Sequence, residues 1–95
     1  MAHSEFYSSD PSAHQLIEAA RSGQADAYYE LGILYSVGRG VDIDYIEAHK
    51  WFNLAAMRGI KRAQADRAEL AAEMSSCEIA EAQRMAREWL GTTTH

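Results

Sequence analysis

Cysteine and proline occur once each in this chain of 95 residues, and long apolar runs do not occur at all. A lone Cys77 cannot close an intrachain disulfide, so the fold must rest on its core and not on cross-links. Pro11 is the single proline, which leaves everything after it free of the residue that breaks helices. No stretch approaches the roughly 18 consecutive apolar residues of a membrane-spanning helix. Met1 to Asp10 has neither the basic start nor the apolar centre of a secretory signal. Basic charge is scarce too: nine Lys and Arg stand against fourteen Asp and Glu, a net charge of −5. That balance argues against nucleic acid or an anionic membrane as partner, since both reward a cationic surface. Together these absences support a cytoplasmic location as the expectation.

What the chain has in quantity is alanine and helical periodicity, with few β-branched residues to favour strands. A first helix is expected over about 11–22, capped by Asp10 with Pro11 at its first turn and stopped by Gly23; its apolar stripe is Ala13, Leu16, Ile17 and Ala20. A second, over 25–37, is apolar on two faces, one of Tyr28, Leu31, Leu34 and Tyr35 and another of Tyr29, Ile33 and Val37. Gly38-Arg39-Gly40 turns the chain into a third helix over 44–58, with Asp44 as cap and Glu47 at capping-box spacing. It is expected to bury Tyr45, Ala48, Phe52, Ala55 and Ala56, while Trp51 lies off that stripe and reaches the following pair. A fourth helix over 61–74 presents Ala63, Leu70, Ala71 and Met74. Ser75 and Glu78 form a capping box that opens a fifth helix, which runs to about Leu90 on a stripe of Ile79, Ala82, Ala86, Trp89 and Leu90 and ends at Gly91.

The chain also repeats itself. Ala19-Ala20-Arg21-Ser22-Gly23 recurs 36 residues later as Ala55-Ala56-Met57-Arg58-Gly59, and Ala27 recurs at the same offset as Ala63. A fixed period in this range marks a helical solenoid. The first helix then reads as an amino-terminal cap with a polar outer face of His14, Glu18 and Arg21, followed by two helix pairs. Arg67 falls where Leu31 stands in the full repeat, a departure that disturbs the second pair.

The order Ala27, Leu31-Gly32, Tyr35, Gly38-Arg39-Gly40-Val41, Asp44, Ala48, Trp51-Phe52, Ala55-Ala56, Gly59, Ala63 resembles the Sel1-like repeat, a relative of the tetratricopeptide repeat. The resemblance implies an all-α fold, a short right-handed α-solenoid, here of about five antiparallel helices over 11–91; the residues around it read as a flexible arm at 1–10 and a disordered tail at 92–95. The resemblance implies a protein or peptide as partner and no one chemistry; because the residues show no catalytic constellation, no enzyme and no cofactor are expected. In tetratricopeptide repeats the first helix of each pair lines the groove, so Asp26, Tyr29, Ile33, Ser36 and Val37 would face it, joined by Arg62, Ala65 and Glu69 from the fourth helix. Tyrosine and isoleucine on such a face suit the anchoring of a peptide. The alternative occupants are the amino-terminal arm and a second copy of the chain, which would make a homodimer.

Other constellations carry less. Four histidines, His3, His14, His49 and His95, show no ligand spacing, and Cys77 is far from all of them in sequence, so neither a metal site nor a Cys-His dyad is expected. Arg58, Lys61, Arg62 and Arg67 form a basic cluster in which Asp66 and Glu69 interleave, which reads as a solvated ion-pair surface before it reads as a dock for an acidic peptide. The remaining carboxylates are explained by caps and solvated faces.

Overall fold

The computed structural model describes residues 12–93, and all of their regular structure is helical: α1 Ala13–Arg21, α2 Ala25–Val37, α3 Tyr45–Met57, α4 Lys61–Ala71 and α5 Ser76–Thr93. The arm expected at 1–10 and the Asp10-Pro11 cap fall outside the described residues. The start of α1 is set instead by Ser12, whose Oγ accepts from the Gln15 backbone N–H at 3.1 Å while Gln15 Oε1 accepts from the Ser12 N–H at 2.9 Å. This reciprocal box satisfies two of the donors a helix start leaves open.

Glycine punctuation sets the pitch. Gly23 and Gly59 take positive φ of 81° and 95°, where a side chain would be strained. The bonds around them match at the repeat offset. Gly23 N–H donates to Ala20 and Gln24 N–H to Ala19, just as Gly59 N–H donates to Ala56 and Ile60 N–H to Ala55. Both are Schellman ends, so α1 and α3 close alike and release the chain in the same direction. At the other junction Gly38, with φ 78°, ends α2 by donating to Leu34. Gly91 has no positive φ, and α5 continues through it to Thr93 instead of stopping there.

The core gathers on α3. Trp51 is 2% exposed and stacks on Tyr28 of α2 at 5.9 Å between centroids, while the edge of Trp89 from α5 meets it at 4.8 Å. Trp51 therefore serves its own pair and the next one. Trp51 Nε1 donates to Glu47 Oε1 at 3.1 Å, and Lys50 Nζ lies 3.0 Å from the same oxygen and 4.2 Å from the Trp51 ring centre. Glu47 thus turns inward, so the box expected at the start of α3 is only half made. Asp44 accepts from the Glu47 N–H, but the Asp44 N–H goes to the Tyr35 carbonyl.

Gly32 brings α2 onto α3. A Cβ at this position would fall within 3.0 Å of three ring carbons of Phe52, so glycine here leaves space for a neighbour and not for an unusual backbone angle. Leu31, Leu34, Ala48, Leu54 and Ala55 complete the seam, and α1 adds Leu16 and Ala20. Leu54, His49 and Lys50 are buried although the apolar stripe read from sequence omits them. Tyr45, expected inside, is 40% exposed because it opens the first turn of α3, at the edge of the seam.

The second pair differs from the first. α4 ends at Ala71, earlier than its pattern suggested, and buries only Ala63 and Leu70. Arg67 cannot fill the place of Leu31; its guanidinium donates to Asn53 Oδ1 on α3. Both α4 and α5 pack on α3 and barely meet each other. The five helices form an all-α helical-repeat solenoid, but its last pair is splayed.

Gly32→Ala should destabilise the fold: forcing a methyl into a filled space costs about 1–3 kcal/mol, more than the ~1 kcal/mol that alanine gains over glycine in a helix. Adding Phe52→Leu, which removes the opposing ring, should restore part of the urea midpoint lost by Gly32→Ala alone. A second expectation concerns acid. His49 is 3% exposed, and burial, with Arg67 as a lesser cause, holds its imidazole below the ordinary 6.5. The unfolded chain therefore takes up that proton first, so stability is complete above 6.5 and falls as pH drops through that value. Urea denaturation at steps between pH 7.5 and 5.5 should show the slope, and His49→Met should flatten it.

Candidate functional site

A groove of about 240 Å³ lies between α2 and α4, lined by Ile33 and Ser36 of α2, Tyr45 and Phe52 of α3, and Asp66, Glu69 and Leu70 of α4 with Glu73 just beyond it. Its position follows from the fold. The missing side chain at Gly32 lets Phe52 seat deeply against α2, and α2 and α4 barely meet, so a space stays open between them. Phe52 and Leu70 are buried at the base, with half-buried Ile33 beside them. Glu69 and Glu73 stand exposed on the rim.

Tyr29 ties the two helices together at one end. Its hydroxyl donates to Asp66 Oδ2 at 2.6 Å, its ring tilts against Phe52 at 5.6 Å, and the Arg62 guanidinium lies 5.3 Å from its ring centre. The bond to Asp66 is the first cause, and burial the second, of a phenol held above its ordinary 10.0. Tyr29 is thus a structural clasp between successive repeats as much as a groove residue.

The eight residues proposed from sequence separate in the structure. Ile33, Ser36 and Glu69 line the groove. Tyr29 and Arg62 lie together at the clasp. Asp26, Val37 and Ala65 are exposed and line no part of the groove. Sequence reasoning passed over Tyr45, Phe52, Asp66, Leu70 and Glu73. Asp66 was readable in principle, since a carboxylate 37 residues after a tyrosine sits one repeat plus one residue along, where first helices of successive repeats face each other.

The basic cluster is dispersed. Arg62 covers Tyr29, Arg67 binds Asn53, and the Arg58 guanidinium reaches back beside Gly23. Cys77 is exposed in the first turn of α5. Among the described residues no three His, Cys, Asp or Glu side chains are grouped so as to hold a metal ion, and no helix is long and apolar enough to cross a membrane. A second hollow, of about 260 Å³, lies on the α5 side among Lys50, Met85, Glu88, Trp89 and Thr92.

Residues 25–60 match the Sel1 repeat family. Over 70 residues, 74% of this chain, the sequence is 37% identical to the alginate biosynthesis protein AlgK of Azotobacter vinelandii. Among solved structures the chain is similar to c5321, a protective antigen present in uropathogenic Escherichia coli strains and described as displaying an SLR fold. That likeness has a TM-score of 0.79 at 23% identity over 85% of this chain. The chain spans 15% of the length of AlgK and 18% of that antigen chain.

The clasp can be measured directly. Hydrogen bonds to charged groups contribute about 1.5–3 kcal/mol when well buried and less when half exposed, so a double-mutant cycle of Tyr29→Phe and Asp66→Ala should return a coupling of about 1 kcal/mol in urea denaturation. A coupling indistinguishable from zero would mean that the α2–α4 spacing is set elsewhere.

Proposed function

As a Sel1-like repeat protein, this chain carries a repeat that generally mediates contacts between proteins, and we propose that it is a non-catalytic module that holds a protein or peptide in the groove between α2 and α4. The observation that supports this most is the groove's composition. An apolar base of Ile33, Phe52 and Leu70 is framed by polar groups and set between helices whose spacing is fixed by the Gly32 approach and the Tyr29 clasp. A rigid, part-apolar concavity loses little conformational entropy when a partner side chain enters it. Its volume of about 240 Å³ lies below the roughly 300–1,000 Å³ usual for small-molecule pockets. That size suits one or two side chains of a polypeptide better than a whole small ligand. The likeness to AlgK covers one repeat region of a much longer protein, so it supports the module and not a pathway.

A second reading has its own support. Val37 and Ile43, each 60% exposed, and Tyr45, 40% exposed, gather around the α2–α3 connection and would suit a homodimer.

A photo-cross-linking amino acid placed at exposed Glu69 should capture a partner protein in the cell of origin, while the same group at exposed Arg87 on α5 should not. Cross-links from Arg87 alone would remove the groove reading. Cross-links from Glu69 only to another copy of this chain, with sedimentation showing a dimer, would establish the second.

A further inference from the structure

We propose that the groove between α2 and α4 selects a partner segment that carries a basic side chain close to an apolar one. This rests on the reading of the groove as a protein-binding site and specifies its ligand. Asp66, Glu69 and Glu73 lie three and four residues apart and share one face, so three carboxylates border the apolar base. Glu69 and Glu73 make no ion pair with any described residue.

No lysine or arginine lines the groove itself, and Arg62 is the cation at its clasp end. Arg67 donates to Asn53 and Arg62 lies over the Tyr29 ring, while Arg39 pairs with Glu30 and Lys50 with Glu47. The Tyr29 hydroxyl takes one oxygen of Asp66 and turns that carboxylate toward the groove end. A lysine or arginine entering here neutralises this edge, and an apolar neighbour covers Ile33, Phe52 and Leu70. An acidic segment meets like charge, which gives discrimination by repulsion as well as by attraction.

The same charge argues against the chain's own amino terminus as the occupant. Residues 1–11 contain no lysine or arginine and carry Glu5 and Asp10. A second copy, itself at net −5, is disfavoured at long range for the same reason.

Methyl-resolved NMR of the full chain, titrated with three pools of capped hexapeptides, tests the chemistry. The pools fix Lys beside Leu, Glu beside Leu, or Lys beside Ser, and randomise the other positions. The Lys-Leu pool should shift the Ile33 and Leu70 methyls, and the shift should weaken several-fold as salt is raised. The double variant Glu69→Lys/Glu73→Lys, at two exposed positions, should lose that response and respond to the Glu-Leu pool instead. A Glu-Leu pool that moves the groove methyls of the natural chain as strongly, or a Lys-Ser pool as effective as Lys-Leu, overturns the proposal. Silence from every pool overturns it too. In that case capture from Glu69 by the cross-linker leaves the groove reading standing, and failure of both removes the binding site itself.

Discussion

The rest of the molecule depends on one close approach, the ring of Phe52 resting where Gly32 has no side chain. Helix pairs in a solenoid need small residues at their seam to bring two backbones together. Here the glycine receives a large side chain instead of another small one. The phenylalanine is thereby drawn through the seam until its ring underlies the far side, where it touches Tyr29 and forms part of the groove base. One missing methyl thus fixes the distance between α2 and α3, the attitude of Tyr29 and the depth of the concavity.

On the opposite flank, α3 is locked by the aromatic series Tyr28, Trp51 and Trp89. Lys50 is buried beside it, and that burial is tolerated because half-buried Glu47 accepts from both the Lys50 ammonium and the Trp51 indole N–H. This series explains how α5 holds to the body with so little help from α4. The two flanks of α3 are built differently: stacked rings join the helices on one, and the apolar-based groove opens on the other.

Much of this was legible because it is local. The glycine ends at Gly23, Gly38 and Gly59, the Asp44 cap and the Ser75–Glu78 box are decided by residues within one turn of each other, and the 36-residue offset carries the same bonds at both ends. The α1 cap was placed two residues early because an aspartate before a proline outweighed the equally good serine and glutamine that follow. Burial of Tyr45 was misjudged because periodicity cannot tell the middle of a stripe from its end, where the partner helix has already run out. The groove was legible only in outline. Ile33, Ser36 and Glu69 follow from the resemblance to tetratricopeptide repeats, whose first helices line the groove, but the pairing of Tyr29 with Asp66 depends on how one repeat lies on the next.

α4 brings these threads together. It departs furthest from the repeat pattern, with Arg67 in place of a core leucine and only Ala63 and Leu70 buried. Arg67 donates to Asn53 on α3, α4 barely meets α5, and the Asp66, Glu69 and Glu73 edge borders the space beside α2. Departure from the repeat pattern and the charged edge of the groove thus fall on the same helix.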